Sequence, residues 1–229
     1  MDRFQLKMFA IVLMVLDHLY AYLQGMPVGF AMAGRIVAPI FFFLLVDGFY
    51  HTRSRINYAA RLLLWAVIME IGSLVLQTIL KAPQPLYNNI FWSLAFALLL
   101  LMLLDSLKNG QRFTAKISGV LALIIISIFT EASILGVVMT LVFYYGYRRR
   151  MLMVLAYIAS SIGFHLTMVS SGYTTIAYEF QWMMVFAAPF LLLYNRMPGP
   201  ASAWAKQFFY AFYPLHLWLL YVYSNWPKG

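Results

Sequence analysis

Three ionisable residues, Asp17, His18 and His216, lie inside long apolar stretches of the sequence. Placing such groups in hydrocarbon is costly unless each finds a partner or a watery cavity. Histidine has the ordinary pKa closest to neutrality, so a buried imidazole can accept and release a proton at low cost. A carboxylate beside it can hold its tautomer and stabilise its protonated form. These residue types predict one acid–base site assembled from the two ends of the chain.

Adjacency in sequence does not place Asp17 and His18 in contact. Successive residues of an α-helix point about 100° apart, so the two side chains can face different neighbours. Arg35 and His216 are both open as partners of Asp17.

The composition predicts an integral membrane protein. Of 229 residues, 64% are hydrophobic and 10% are charged, and the mean hydropathy is +0.81, well above the balance of a soluble domain. The absence of cysteine excludes disulfides, thiolate metal sites and a cysteine nucleophile. We expect an all-α transmembrane bundle that forms one domain over residues 1–229.

Nine apolar segments have about the length that a helix needs to cross a bilayer. Residues 115–147 fit either one very long helix or two short helices that meet at Glu131. With nine spans, lysine and arginine divide 13 to 3 between the two sides, and with eight spans they divide 9 to 7. The positive-inside rule therefore predicts nine spans, with the N-terminus cytoplasmic and the C-terminus outside. The spans lie near residues 5–24, 34–50, 57–80, 89–107, 115–130, 133–147, 150–169, 175–194 and 205–226.

Helix rise predicts the depth of the polar residues. His18 lies eleven residues past the preceding lysine, which places it about 16 Å deep at about 1.5 Å per residue. The same count places His216 and Glu70 at about 14 to 15 Å. Since the hydrocarbon core is about 30 Å thick, all three are expected near its midplane.

The net charge of +9 does not require a nucleic-acid partner. Basic residues in short cytoplasmic loops set topology and contact anionic membrane lipids. Two groups of cations on the predicted inner side could also bind a polyphosphate from the cytosol. They are His51, Arg53, Arg55 and Arg61, and the run Arg148, Arg149 and Arg150.

Several reaction classes lack their usual motifs. The sequence contains no H-E-x-x-H, no glycine-rich phosphate loop and no G-x-S-x-G, so metal-dependent hydrolysis, nucleotide hydrolysis and serine acyl-enzyme chemistry are not predicted. Direct group transfer with a histidine base remains compatible with the residues.

Five sequence blocks occur in order over nearly the whole chain. They are Leu13 to His18, Gly34 to Phe41, His51 to Arg53 with Tyr58, Arg61 and Leu62, Asn89 to Phe91, and Phe209 to Leu217. Together these blocks resemble the TraX family of membrane acetyltransferases. The segment from Glu131 to Val137 departs from the pattern, because the family usually has an aspartate or tyrosine before Gly-x-x-Gly and this chain offers only Gly136.

The resemblance implies acetyl transfer from acetyl-CoA, as co-substrate, to the N-terminal amine of a pilin or another secreted or membrane peptide. It also implies a multi-pass protein of the bacterial inner membrane, related to larger acyltransferases with a buried histidine. His18 would then be the general base, Asp17 would orient it or compensate its charge, and His216 or Arg35 would stabilise the oxyanion. The inner cations would hold acetyl-CoA. The acceptor ammonium would meet Glu70, Glu131 or Glu179.

Three other functions remain open on the residues alone. Buried Asp, Glu and His side chains also serve proton-coupled transporters, although no internal repeat is apparent and nine spans do not divide into matching halves. An O-acyltransferase acting on a glycan and a non-catalytic assembly factor with structural histidines are the others. Thioester hydrolysis or transfer by the purified protein would separate these classes.

Overall fold

All regular elements in the described part of the chain are helical. The computed structural model describes residues 1–81, 86, 89–107, 113–172, 180–199 and 203–226, with only the backbone of residues 203–206. The elements are α1 Arg3–Tyr22, α2 Val28–Gly34, α3 Val37–His51, α4 Arg55–Leu80, α5 Ile90–Leu107, α6 Phe113–Ile128, α7 Ser133–Gly146, α8 Arg150–Ser170, a 3₁₀ helix Gln181–Ala187, α9 Ala188–Leu193 and α10 Ala203–Asn225.

Five helical segments are long and apolar enough to cross a membrane. They are Arg3–Tyr22, Val28–His51, Arg55–Leu80, Ile90–Leu107 and Arg150–Ser170. This confirms a multi-pass helical membrane protein, while the count of nine spans and the orientation of the termini stay predictions.

Two breaks in the helices bear on the predicted spans. The segment 115–147 forms two helices, α6 and α7, and Ser133 at the start of α7 has a φ of 46°. The sequence count favoured these two helices over one. A second break, at Arg35 and Ile36 between α2 and α3, lies at the start of the predicted span 34–50, and the short helix α2 before it was not predicted.

The helices divide into two compact units that alternate along the chain. Unit 1 comprises Met1–Phe41, Ile71–Leu86 and Val154–Gly229, and unit 2 comprises Phe42–Glu70 and Tyr87–Met153. The prediction of a single domain stays a prediction.

In unit 1, α1 packs against α2 and α10. The buried face of α1 carries Leu6, Ala10, Met14 and His18, which are four residues apart and therefore share one side of the helix. His18 thus continues an apolar buried stripe.

Helix α10 has an exposed apolar face, on which Leu215, Leu219 and Tyr223 recur at the same four-residue spacing. Exposed apolar side chains at this spacing are typical of a helix face that contacts lipid.

In unit 2, α5 packs against α6 and α7, and α6 also contacts α7. The α3 segment from Phe42 to Phe49 is buried on nearly all sides, as expected for a helix that is apolar all round. Gly136 of α7 lies close to this segment, because a Cβ there would stand 2.8 Å from the ring of Phe42.

Trp218 fixes α10 against the second half of α4. Its indole Nε1 donates a hydrogen bond of 3.2 Å to the hydroxyl of Ser73. A Cβ at Gly72 would lie 2.1 Å from the Trp218 ring, so only glycine leaves room for the ring. Since Trp218 follows His216 by two residues, this contact also sets the position of His216.

Gly72→Ala is expected to destabilise the protein by about 1 to 3 kcal/mol, the usual cost of forcing extra volume into a packed site. The measurement is the thermal unfolding midpoint in detergent, followed by tryptophan fluorescence. Gly163→Ala is the matched control, because a Cβ at Gly163 has nothing within 4 Å. Equal midpoints for the two variants would contradict the close packing of the Trp218 ring against Gly72.

Candidate functional site

His18 and His216 are in direct contact inside unit 1. Nδ1 of His18 lies 2.7 Å from Nε2 of His216, and the ring centroids are 4.9 Å apart with 23° between the planes. The two residues are only 4% and 9% exposed. Residues 198 positions apart in sequence therefore form one buried pair, as their common depth predicted.

The hydrogen bonds of the pair assign its tautomers. Nδ1 of His216 lies 2.8 Å from the backbone oxygen of Phe212, which can only accept, so Nδ1 carries the proton. In a neutral imidazole the other nitrogen is then an acceptor, so Nε2 of His216 accepts a hydrogen bond from the Nδ1–H of His18. By the same rule Nε2 of neutral His18 carries an unshared electron pair. This is the atom that a general base uses.

Aromatic rings and a proline surround the pair. The Phe212 ring stacks on His216 at 5.0 Å, and the Tyr213 ring meets His18 edge-on at 6.1 Å. Pro214 lies inside α10, where it supplies no backbone N–H and interrupts the helical hydrogen bonds. These neighbours restrict both imidazoles to one arrangement.

Asp17 pairs with Arg35 rather than facing the histidines. A guanidinium nitrogen of Arg35 lies 3.6 Å from Oδ1 of Asp17, and Nε of Arg35 donates to the Ala31 carbonyl at 3.4 Å. Of the two partners left open by the sequence, the structure thus selects Arg35. Both side chains are partly exposed, at 35% for Arg35 and 26% for Asp17.

Gly34 permits this ion pair. A Cβ at Gly34 would stand 2.3 Å from Cβ, Cγ and Oδ1 of Asp17, which is far inside van der Waals contact. Because the clash includes Cβ of Asp17, rotation of the side chain cannot relieve it. The Gly-Arg pair in the sequence is therefore explained by two contacts with Asp17.

Glu70 has two partners that the sequence alone did not assign. The side-chain nitrogen of Asn89 donates to Oε2 of Glu70 at 3.0 Å and to the Ala66 carbonyl at 3.0 Å. The indole of Trp92 donates to the same Oε2 at 3.3 Å. The predicted Glu70 thus belongs to unit 2, as do both of its partners.

The C-terminal end of α3 lies beside the C-terminal end of α7. Asp47 is fully buried and accepts a hydrogen bond of 2.6 Å from the Tyr147 hydroxyl. His51 donates from Nδ1 to the Asp47 backbone oxygen at 2.7 Å. The ring of Tyr50 stacks on Tyr147 at 4.4 Å. This cluster brings the two predicted groups of cations to one end of unit 2, because Tyr147 immediately precedes Arg148.

The cations at this end differ in their contacts. Arg55 is held by Asp105 at 2.7 Å and lies over the Phe49 ring at 3.9 Å. Arg61 lies 6.0 Å from the Tyr58 ring and is exposed. Three other arginines present exposed or partly exposed side chains at the same end. They are Arg148, Arg149 and Arg150, and Arg53 is exposed after α3.

The two other predicted acidic residues are less informative. Glu131 is exposed and lies just before α7. Glu179 lies outside the described residues.

Comparisons with known proteins identify relatives. The chain matches a family profile described as TraX protein over residues 2–224. It is also similar to the probable fimbrial assembly protein FimC, serogroup H1, of Dichelobacter nodosus, with 28% identity over 239 aligned residues that cover 96% of this chain and 94% of the relative. No solved structure matches the chain.

The tautomer assignment predicts nitrogen-15 NMR spectra of histidine-labelled protein. Above about pH 8, where free imidazole is neutral, His18 and His216 should both carry the proton on Nδ1. His216→Ala should alter the His18 signals, whereas His165→Gln should leave them in place. A proton on Nε2 of His18 in the wild-type protein would contradict the assignment.

Proposed function

Because the chain belongs to the TraX family, we propose that it transfers an acetyl group from acetyl-CoA to the N-terminal amine of a fimbrial subunit or another secreted or membrane peptide. The observation that carries this proposal is the His18–His216 contact, which leaves Nε2 of His18 with an unshared electron pair. The name of the Dichelobacter nodosus relative, a fimbrial assembly protein, supports a fimbrial acceptor.

The proposed reaction uses His18 as the general base. Its Nε2 takes a proton from the acceptor amine as the amine nitrogen attacks the thioester carbonyl carbon. The resulting tetrahedral intermediate collapses with cleavage of the carbon–sulfur bond, and the coenzyme thiolate leaves and receives the proton. General base catalysis of this kind contributes typically about 10² to 10⁴ in rate.

His216 is assigned a positioning role in this reaction. Its Nδ1 is occupied by the Phe212 carbonyl and its Nε2 by His18, so in the neutral pair neither nitrogen offers a proton to an oxyanion. It can instead accept the His18 Nδ1 proton as positive charge develops on His18. The charge is then shared between two rings.

Arg35 is the better candidate to stabilise the oxyanion. Its guanidinium presents five N–H donors, and the contacts with Asp17 and Ala31 leave others for a ligand. Asp17 would hold Arg35 in place, and Gly34 would leave room for Asp17 to come close enough to do so. One hydrogen-bond donor directed at the oxyanion in a site without water stabilises the transition state by about 3 to 4 kcal/mol.

We propose that acetyl-CoA is bound through its phosphates by cations of unit 2. The cluster around Asp47 and Tyr147 supports this, because it holds the ends of α3 and α7 together. Arg55 is already neutralised by Asp105, so the remaining arginines are the better phosphate ligands. His51 and Arg61 complete the group.

The membrane arrangement belongs to the same proposal. Nine spans with a cytoplasmic N-terminus would place the arginine groups on the side of the cytosolic coenzyme. The protein would then lie in the bacterial inner membrane. The acidic residues Glu70, Glu131 and Glu179 would be available to the acceptor ammonium.

His18→Ala should abolish acetyl transfer, because it removes the proposed base. The measurement is the intact mass of membrane and secreted peptides from cells that carry either the variant or the wild-type protein, with purified protein and acetyl-CoA as the second assay. An added acetyl group should appear with the wild-type protein alone.

The control for this experiment is His165→Gln, which changes a buried histidine of unit 1 outside the His18–His216 pair. Membrane insertion and the thermal midpoint of each variant show that it is folded. Unchanged acetylation by His18→Ala would reject His18 as the base. Absence of any acetyl transfer by the wild-type protein would reject the proposed function.

Neutralising Arg53, Arg148 and Arg149 together with glutamine should weaken acetyl-CoA binding at least about tenfold, since charge-assisted contacts to phosphate are worth about 1.5 to 3 kcal/mol each. Calorimetry at several salt concentrations measures the affinity and its salt dependence. Lys81→Gln, which removes a cation of the predicted outer side, is the control. Unchanged affinity and salt dependence would assign these arginines to topology alone.

A further inference from the structure

Glu70 occupies an unusual position in α4. It lies fifteen residues after Arg55 and ten before Leu80, the two ends of the helix, or about 22 Å and 15 Å along the axis. The helix is apolar and long enough to span a membrane. Glu70 is nevertheless exposed, on a helix whose Leu64 and Val67 are 57% and 41% exposed. An exposed carboxylate inside an apolar span calls for a partner from outside.

Asn89 and Trp92 complete a polar site around this carboxylate. Both donate to Oε2 of Glu70. Asn89 is only 7% exposed, and its Oδ1 has no hydrogen-bond partner in the part of the chain that the structure describes. A buried acceptor without a donor destabilises the fold, because it has lost its hydrogen bonds to water without replacement. The site therefore combines an exposed carboxylate with a neighbouring buried amide oxygen that has no donor in the described part of the chain.

A purely structural role explains only part of this arrangement. Glu70 and Asn89 do join α4 to the start of α5, because Asn89 also binds the Ala66 carbonyl. That role needs the donor nitrogen of Asn89 and one carboxylate oxygen. It does not account for the buried Oδ1 of Asn89 or for the exposure of Glu70.

We propose that Glu70, Asn89 and Trp92 form a lipid-facing site for a primary ammonium group carried by a membrane-embedded peptide. The exposed Glu70 carboxylate would accept hydrogen bonds from this ammonium, and the buried Asn89 oxygen beside it would contribute the negative end of its amide dipole. The Trp92 ring, which stacks on Phe96 at 5.6 Å, adds an aromatic surface that attracts cations. The inference rests on the proposed function, because the ammonium is taken to be that of the acceptor.

The surroundings of the site select a transmembrane segment as the occupant. A soluble peptide would have to leave water to reach a carboxylate flanked by exposed Leu64 and Val67. A hydrophobic segment is already solvated by the bilayer and matches that apolar surface, and its ammonium complements the charge of Glu70. The acceptor thus reaches the protein sideways, from within the membrane.

The test measures binding without acetyl-CoA. The protein is reconstituted in phosphatidylcholine vesicles with a fluorescent transmembrane peptide of leucine and alanine that has one lysine at its centre. A twin peptide has norleucine at that position. Energy transfer from the protein should show at least about tenfold tighter binding of the lysine peptide, since hydrogen bonds to charged groups are worth about 1.5 to 3 kcal/mol.

Variants assign the preference to the site. Glu70→Gln should remove it, and Glu70→Asp should retain part of it by keeping the charge. Trp92→Phe should weaken it, because a phenyl ring attracts cations less than an indole does. Thr78→Ala, which loses a hydroxyl bonded to the carbonyl of Leu74 in its own helix, is the control and should bind like the wild-type protein.

Equal binding of the two peptides by the wild-type protein would overturn the inference. So would an unchanged preference in folded Glu70→Gln protein, with folding judged by the thermal midpoint. Neither result depends on acetyl transfer, so this test can fail while the acetylation assays succeed, and the reverse also holds.

Discussion

The hydrogen bond between His18 and His216 is the constraint on which unit 1 depends. Each buried imidazole gives the other one hydrogen-bond partner, and the Phe212 carbonyl fixes which nitrogen carries each proton. A typical hydrogen bond adds only about 1 kcal/mol, but a buried polar group left without its partner costs about 1 to 3 kcal/mol. The pair therefore penalises any movement of α1 relative to α10. The hydrogen bond that joins α1 to α10 also leaves Nε2 of His18 unprotonated, as a general base requires.

Close backbone approaches keep the elements around this pair in position. Gly34 admits Asp17, and Gly72 admits the Trp218 ring, so α2 and the second half of α4 each approach a helix that carries one of the histidines. Small residues are common at helix contacts in membranes, where packing replaces the hydrophobic effect. The positions of the two histidines thus depend on close packing at Gly34 and Gly72.

Much of the architecture could be predicted from the sequence because membranes restrict the choices. Apolar length located the helices, basic residues favoured two helices in the segment 115–147, and helix rise gave His18 and His216 the same depth. The contacts of Asn89 and of Tyr147 could not be predicted, since they depend on which helices become neighbours. Helix α2 was also missed, because its seven residues are too few to stand out as a membrane span, which needs about 20 apolar residues.

The shortness of α6 and α7 has a consequence for the surrounding lipid. They contain 16 and 14 residues, or about 24 and 21 Å of helix, against a hydrocarbon core of about 30 Å. If both cross, as the distribution of basic residues favours, the bilayer beside unit 2 must thin to meet them. That deformation costs energy for each ångström of mismatch and grows with acyl-chain length. The stability of the protein would therefore depend on the thickness of the membrane that contains it.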